Sequence, residues 1–282
     1  MSVEPSGRRR IWLCADDYGI SPSVSTAIRD LVARGRLNAV SVLVAAPSFQ
    51  HSEAVPLNVL DSVASRAAIG LHVALTAPFR PSRADFAPAS EGAFLPIAAT
   101  FRHALFGRFK RDALVAEIAD QMRTFVNCFG RAPDFVDGHQ HVHLFPRIRD
   151  AVLEVVKETA PRAWVRQCGR VGPLAPRLAD GKGLFLDLMS HRFQRRAAAL
   201  GLATNPGFAG TYDFDEEADF AALFPRFLDR LPDGGVVMCH PGFVDAELER
   251  LDPLTTLREK EYAFFADDAF PALLARHGVT LA

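Results

Sequence analysis

"RRRIWLCADDYGISPSVSTAIRDLVARG", Arg8 to Gly35, sets the repeating unit of the fold. The apolar run from Ile11 to Ala15 predicts a short buried strand that delivers two carboxylates, Asp16 and Asp17, at its C-terminal end. A helix follows at once. Ser21 is a good N-cap, Pro22 suits the first helical position, and Ala27, Ile28, Leu31 and Val32 fall on one face before Gly35. The unit is therefore strand, loop, helix.

Outward from this unit the alternation continues. "NAVSVLVAAP" (38–47) and "AAIGLHVALT" (67–76) read as two further β-branched strands, the second carrying His72. The segment from Arg80 to Phe109 holds several prolines and reads as a long functional loop whose Phe101, Phe106 and Phe109 either line a groove or cover a barrel edge. From Asp112 to Gly130 the apolar residues recur at helical spacing through Leu114, Ile118, Met122, Phe125 and Phe129. "PDFVDGHQHVH" (133–143) is a strand with its exit loop, "PRIRDAVLEVVKETA" (146–160) a helix, and "RAWVRQCG" (162–169) a strand with Arg166 near its end. Gly169 to Gly210 is the least regular stretch, with a helix predicted over "DLMSHRFQRRAAALGL" (187–202). "GGVVMCHPG" (234–242) is a late strand ending at His240, and "LTTLREKEYAFFADDAFPALLARHG" (254–278) is helical. Alternating strands and helices argue for an α/β protein with a parallel sheet, open or closed into a barrel, in one domain over 1–282.

Composition sets the outer limits. The 282 residues are 49% hydrophobic with a formal net charge of -1, so no electrostatic field points the chain at nucleic acid or a membrane surface. No apolar run reaches the ~18 residues of a membrane span. Cys14, Cys128, Cys168 and Cys239 are scattered, as expected of thiols in a reducing compartment. The N-terminal apolar run "IWLCA" is too short for a signal peptide and runs into two acids, which predicts a cytoplasmic protein.

The polar residues at strand ends point to the chemistry. Asp16 and Asp17, His72, Asp137 and His139, and His240 all fall where an apolar strand stops, and in a barrel those ends converge on one face. A carboxylate with two neutral imidazoles suits a divalent transition ion and leaves coordination positions open. Such an ion favours hydrolysis of an amide or ester, with one acid of the Asp pair free to take a proton and His240 a candidate proton donor. Taken singly, each residue has an ordinary structural reading: His72 as a core histidine, the Asp pair as a favourable charge at a helix N-terminus, "HPG" as a turn. Their joint placement is what favours a site.

"ADDYG", "GLHVALT", "DGHQHVH" and "CHPG", in this order, resemble the YdjC-like carbohydrate deacetylases, and the resemblance covers almost the whole chain. It implies a deformed (β/α) TIM-like barrel with a divalent metal held by Asp17, His72 and His139. It also implies Asp16 as general base, as in the similar NodB-type deacetylases, and His240, entering as imidazolium, as general acid. The implied substrate is an N-acetylated amino sugar, hydrolysed to acetate and free amine. Zinc is the expected ion, with magnesium, manganese, cobalt or nickel able to occupy the same ligands. If the strand exit stays extended, His139, His141 and His143 share one side at period two. His141 is then expected to orient ligands or contact sugar, while His143 either joins it or packs. Arg166 is a candidate for recognising substrate polar groups, with a surface ion pair as its alternative. Asp137 either holds a ligand imidazole or caps the loop. Rival functions are another metal-dependent amidohydrolase on the same barrel and a carbohydrate-binding protein without chemistry. A homodimer is the expected assembly.

Overall fold

A computed structural model describes residues 8–63, 67–171 and 181–281. The reading of residues 1–7 as no leader, and of 172–180 as part of the irregular stretch, lies outside the described residues. In chain order the elements are β1 (Arg9–Tyr18), α1 (Pro22–Ala33), β2 (Ala39–Val42), α2 (His51–Val63), β3 (Ala68–Val73), α3 (Ile97–Leu105), α4 (Arg111–Phe129) and β4 (Phe135–Gly138). A tight turn (His139–Leu144) leads to α5 (Ile148–Thr159), β5 (Trp164–Val165), α6 (Gly181–Ala199), β6 (Phe208–Ala209) and α7 (Phe220–Leu228). β7 (Val236–Cys239), α8 (Ala246–Leu251), α9 (Thr256–Ala266), α10 (Phe270–Arg276) and β8 (Val279–Leu281) complete it.

The strands pair in parallel in the order β5-β4-β3-β2-β1-β7-β6, which is chain order around a ring with a seam between β5 and β6. Single bridges span that seam, Val165 with Thr204 and Arg170 with Phe208. Between them Asn205 does the work of a strand: its carboxamide accepts from Gln167 N at 2.8 Å and donates to Gln167 O at 3.0 Å and Gly207 O at 2.8 Å. The result is a parallel half-barrel sheet with flanking helices, the deformed barrel that the family resemblance implies. β8 adds to the N-terminal half of β1 through Arg9–Ile11, leaving the C-terminal half to β2 and β7.

The local signals behind the helices hold. Ser21 caps α1, accepting from Val24 N at 3.3 Å, and Ala27, Ile28, Leu31 and Val32 are all buried against the sheet. α4 ends at Gly130 with Leu114, Ile118, Met122, Phe125 and Phe129 inside. The segment 80–109 differs from its expectation as a loop, because α3 forms within it and buried α4 side chains anchor it. Gln121 brackets Ala74, donating to its O at 2.8 Å and accepting from its N at 3.0 Å, while Glu117 accepts from the Ser82 and Arg83 amides. Phe109 is buried, Phe101 packs edge-on against Phe145 and Phe185, and Phe106 is exposed.

Because Asn205 closes the seam with three buried hydrogen bonds, Asn205→Ala leaves main-chain groups of Gln167 and Gly207 without those partners. The expected cost is about 2–4 kcal/mol, read as a lowered urea midpoint at unchanged slope.

Candidate active site

β1 ends in a bulge. Its register with β2 shifts between Ala15 and Tyr18, and Asp17 sits at φ 66°, in the left-handed region. On a regular strand neighbouring side chains point to opposite faces; the bulge lets Asp16 and Asp17 both line one cavity at the C-terminal ends of the strands. That cavity holds about 610 Å³ and is also lined by His72, His139, His141 and His240.

Asp17, His72 and His139 converge so that one ligand atom from each lies within 4.8 Å of the others. His139 Nδ1 is 2.9 Å and His72 Nε2 3.3 Å from the same oxygen, Asp17 Oδ1. Behind His72, Nδ1 donates to Asp137 Oδ1 at 2.6 Å, and Ser41 Oγ donates to that oxygen at 2.5 Å. This settles which of the two readings of Asp137 holds: it orients an imidazole. Burial depresses the His72 pKa, but Asp137 and Asp16 overcome it and carry it up to about 10. Asp16, Asp17 and Asp137 are three buried carboxylates beside two buried guanidiniums, Arg166 and Arg258, the second of them shared with Asp252, and the His72 proton offsets part of the excess. A divalent cation would take over that proton's role, and the donor set of one carboxylate and two imidazoles fits one.

Arg166 is the largest departure from expectation. It neither meets solvent nor reaches the cavity; it is fully buried behind it. Its two terminal nitrogens grip Asp16 in a bidentate pair, Nη1 to Oδ2 and Nη2 to Oδ1, each at 2.7 Å, and Nη2 also lies 2.5 Å from Asp137 Oδ2. The fork matches a carboxylate plane, so Arg166 orients acids and does not recognise substrate. A second guanidinium, which the sequence did not flag, does the same for the other acid. Arg258, on α9, donates to Asp17 Oδ2 at 2.7 Å, to Asp252 Oδ2 at 2.9 Å and to Leu254 O at 2.9 Å. Burial raises and His139 with Arg258 lowers the Asp17 pKa, and the lowering wins by a wide margin. Nothing local marks Arg258 within "TLREKEY", where it reads as one more charge on a polar helix.

His240 leaves β7 half-buried, with its main-chain N donating to Glu261 Oε2 at 2.5 Å. Burial lowers its pKa, Asp17 and Asp16 oppose, Arg258 adds to the lowering, and the net value is below that of a free histidine. The imidazolium form expected of it is therefore disfavoured by burial, and the nearby acids offset only part of that effect. Glu261, fully buried on α9, also accepts from Tyr212 Oη at 2.7 Å. Burial pushes its carboxyl up to about 7 against the Tyr212 and His240 hydrogen bonds and Arg258.

The three alternate histidines do not share a side. Gln140 (φ 52°, ψ 27°) and His141 (φ 59°, ψ 23°) are left-handed, so the chain turns tightly after His139 and period two is lost. His139 meets Asp17, with Phe79 edge-on at 5.3 Å. His141 lines the cavity with Nδ1 3.5 Å from Cys168 Sγ, and burial, with the Arg166 charge adding to it, holds its pKa well below that of a free histidine. His143 folds beneath, donating from Nε2 to Arg166 O at 2.8 Å, and packs edge-on against Phe193. Gly138 permits the fold-back, since a Cβ there would lie 3.0 Å from His143 Nδ1 and 3.1 Å from its main-chain N.

The fold and this site define a class: α/β-barrel proteins with a buried carboxylate–imidazole cluster at the strand exits. More narrowly, the chain belongs to the YdjC-like protein family, whose model matches residues 10–276. It is 29% identical over 244 residues to the chitooligosaccharide deacetylase of Serratia marcescens, covering 83% of this chain and 82% of that one. Over 256 residues it is 25% identical to the chitooligosaccharide deacetylase of Escherichia fergusonii, covering 89% and 84%. The crystal structure of a protein described as a candidate cellobiose-phosphate cleavage protein from Enterococcus faecalis V583 superposes with a TM-score of 0.75 at 18% identity, covering 98% and 97%, which shows the shared fold. No helix of the described residues is long and apolar enough to cross a membrane.

Two stability outcomes follow from this geometry. Arg166→Met leaves Asp16 and Asp137 buried without their cation and is expected to cost about 3–5 kcal/mol in urea unfolding. Glu261 carries a folded pKa of about 7 against an ordinary 4.5, so its ionisation penalises the fold progressively between those values and fully above them. Between about pH 4.5 and 8, the stability of Glu261→Gln relative to the native chain should therefore rise by on the order of 3 kcal/mol.

Proposed function

We propose that this chain, acting as one catalytic domain over 1–282, hydrolyses the acetamide of an N-acetylated amino sugar to acetate and free amine. The observation that carries this reading is the convergence of Asp17, His72 and His139 in a cavity that Asp16 and His240 also line. A cluster for binding an ion alone has no use for a second, separately oriented carboxylate and a facing imidazole. Both named relatives are chitooligosaccharide deacetylases, which supports N-acetylglucosamine oligomers as the substrate class.

Asp17, His72 and His139 would hold a divalent ion, zinc by the donor set. When bound, such an ion supplies Lewis acidity toward the acetamide carbonyl and lowers the pKa of water. Asp16 takes a proton from the attacking water. Arg166 occupies one lone pair on each of its oxygens and Cys14 Sγ also donates to Oδ1, so the carboxylate plane is fixed and Oδ2 keeps a lone pair for the proton. As the water oxygen bonds to the carbonyl carbon and the C–N bond breaks, the departing nitrogen needs a proton, and His240 donates it. His240 takes up that proton from solvent before the C–N bond breaks, and Asp16 later returns its own. Asp137 and Ser41 hold the His72 ring, and His141, neutral at the cavity wall, is a hydrogen-bonding partner for sugar hydroxyls.

The test is acetate release from N-acetylglucosamine oligomers by protein stripped of ions and reloaded with zinc, cobalt or magnesium. Reloading should restore activity, Asp17→Ala should abolish it, and Asp16→Asn and His240→Ala should each lower kcat by about 10²-fold or more. The rate should decline as pH rises and the imidazolium fraction of His240 falls. No release from any N-acetyl sugar, with the ion still bound, would exclude the deacetylase and favour another amide or ester or binding alone.

A further inference from the structure

Glu261 lies outside the groups to which the proposed chemistry assigns a step, yet it is fully buried, and burying a carboxyl group with a pKa near 7 is costly. Its two oxygens go to two different parts of the cavity. Oε2 accepts from the main-chain N of His240, at the exit of β7, at 2.5 Å. Oε1 accepts from Tyr212 Oη, on the loop after β6, at 2.7 Å.

That loop is built against its own preferences. Gly210 is at φ 103° and a Cβ there would collide with the Met238 main chain, so the exits of β6 and β7 run in direct contact. Phe214 takes φ 53°, a conformation that costs a non-glycine residue of order 1–3 kcal/mol and persists only where its surroundings hold it. Its ring lies 4.2 Å from that of Tyr212 and edge-on to the His240 imidazole at 5.5 Å. Tyr212, Phe214 and His240 all line the cavity. Among the described residues the His240 side chain has no hydrogen-bonding partner at Nδ1, so its orientation depends on the main chain and on this aromatic wall.

We infer that Glu261 is the positioning residue of the general acid, its carboxylate clamping the His240 main chain and the Tyr212 hydroxyl so that imidazole and wall move as one unit. This rests on the reading of His240 as proton donor. Glu261 touches neither substrate nor reacting atoms; it acts by keeping the His240 imidazole aimed where the leaving nitrogen departs. Its contribution is therefore confined to substrates whose leaving group must be protonated. An amine leaving group requires the proton and an aryloxide does not, which separates positioning of the acid from general support of the fold.

The experiment compares ion-loaded wild type, Glu261→Ala, Glu261→Gln, Tyr212→Phe and His240→Ala on N-acetylglucosamine oligomers and on para-nitrophenyl acetate. Glu261→Ala should lose about tenfold or more in kcat on the sugar with KM little changed, and less than about threefold on the aryl ester. His240→Ala should show the same split more strongly. Glu261→Gln keeps an oxygen for the His240 amide and should recover sugar kcat to within about threefold of wild type. Tyr212→Phe keeps the ring and removes one tether, so it should show a smaller split of the same sign, and it carries the test if Glu261→Ala does not fold. Equal losses on both substrates, or no loss on the sugar, would overturn the inference. A split in His240→Ala without one in Glu261→Ala or Tyr212→Phe would overturn it while leaving the deacetylase standing. Wild type that cleaves the aryl ester but no sugar amide would remove the reading on which it rests.

Discussion

The guanidinium of Arg166 is the interaction on which the site depends. It comes from the exit of β5, crosses behind the cavity, and fixes Asp16 on β1 and Asp137 on β4. Through Asp137 the constraint passes to His72 on β3, and through its own carbonyl to His143 in the turn after β4. Four strand exits are thereby referenced to one planar cation. Buried carboxylates so close together would repel one another and take up protons without it. Arginine suits this role better than lysine because its fork meets a carboxylate along two parallel bonds.

Arg258 repeats the device from the other side, gripping the Asp17 oxygen that faces away from His72 and His139. Each acid of the Asp16–Asp17 pair thus has its own buried cation, and the bulge in β1 turns both toward the same space. One carboxylate is left with an oxygen shared by two imidazoles, the other with its plane locked. Neighbouring residues of identical chemistry acquire distinct geometries, and so can take distinct roles. The proton on His72 marks the charge deficit that the cluster keeps where a cation fits.

Much of this was legible in the sequence, for local reasons. Apolar runs gave β1, β2, β3, β4, β5 and β7, and Ser21–Pro22 and the helical periodicity gave α1 and α4, because those patterns record which face of an element is buried. Elements that depend on neighbours were not legible. β8 exists by pairing with β1, β6 is a two-residue strand, and α2 and α7 carry Pro56 and Pro225 inside them. α3 is a nine-residue helix within a proline-containing segment whose preceding residues hang on Glu117 and Gln121. The period-two reading of the three histidines failed because Gln140 and His141 adopt left-handed backbone, which no side-chain pattern encodes.

The sequence by itself determined the alternation that makes a barrel and the residue types at the strand exits: Asp16, Asp17, His72, Asp137, His139 and His240 stand at chain positions where strands must end. What the tertiary structure decided is which of these groups meet and in what charge state. Arg166 reads in the sequence as a substrate contact or a surface ion pair, Arg258 and Glu261 carry no local signal, and all three are fully buried in the fold. The physical reason is that hydrophobic periodicity is a property of neighbouring residues along the chain. Ion pairing and desolvation depend on distances between residues separated by 150 positions, as in Arg166 and Asp16, or 241, as in Arg258 and Asp17.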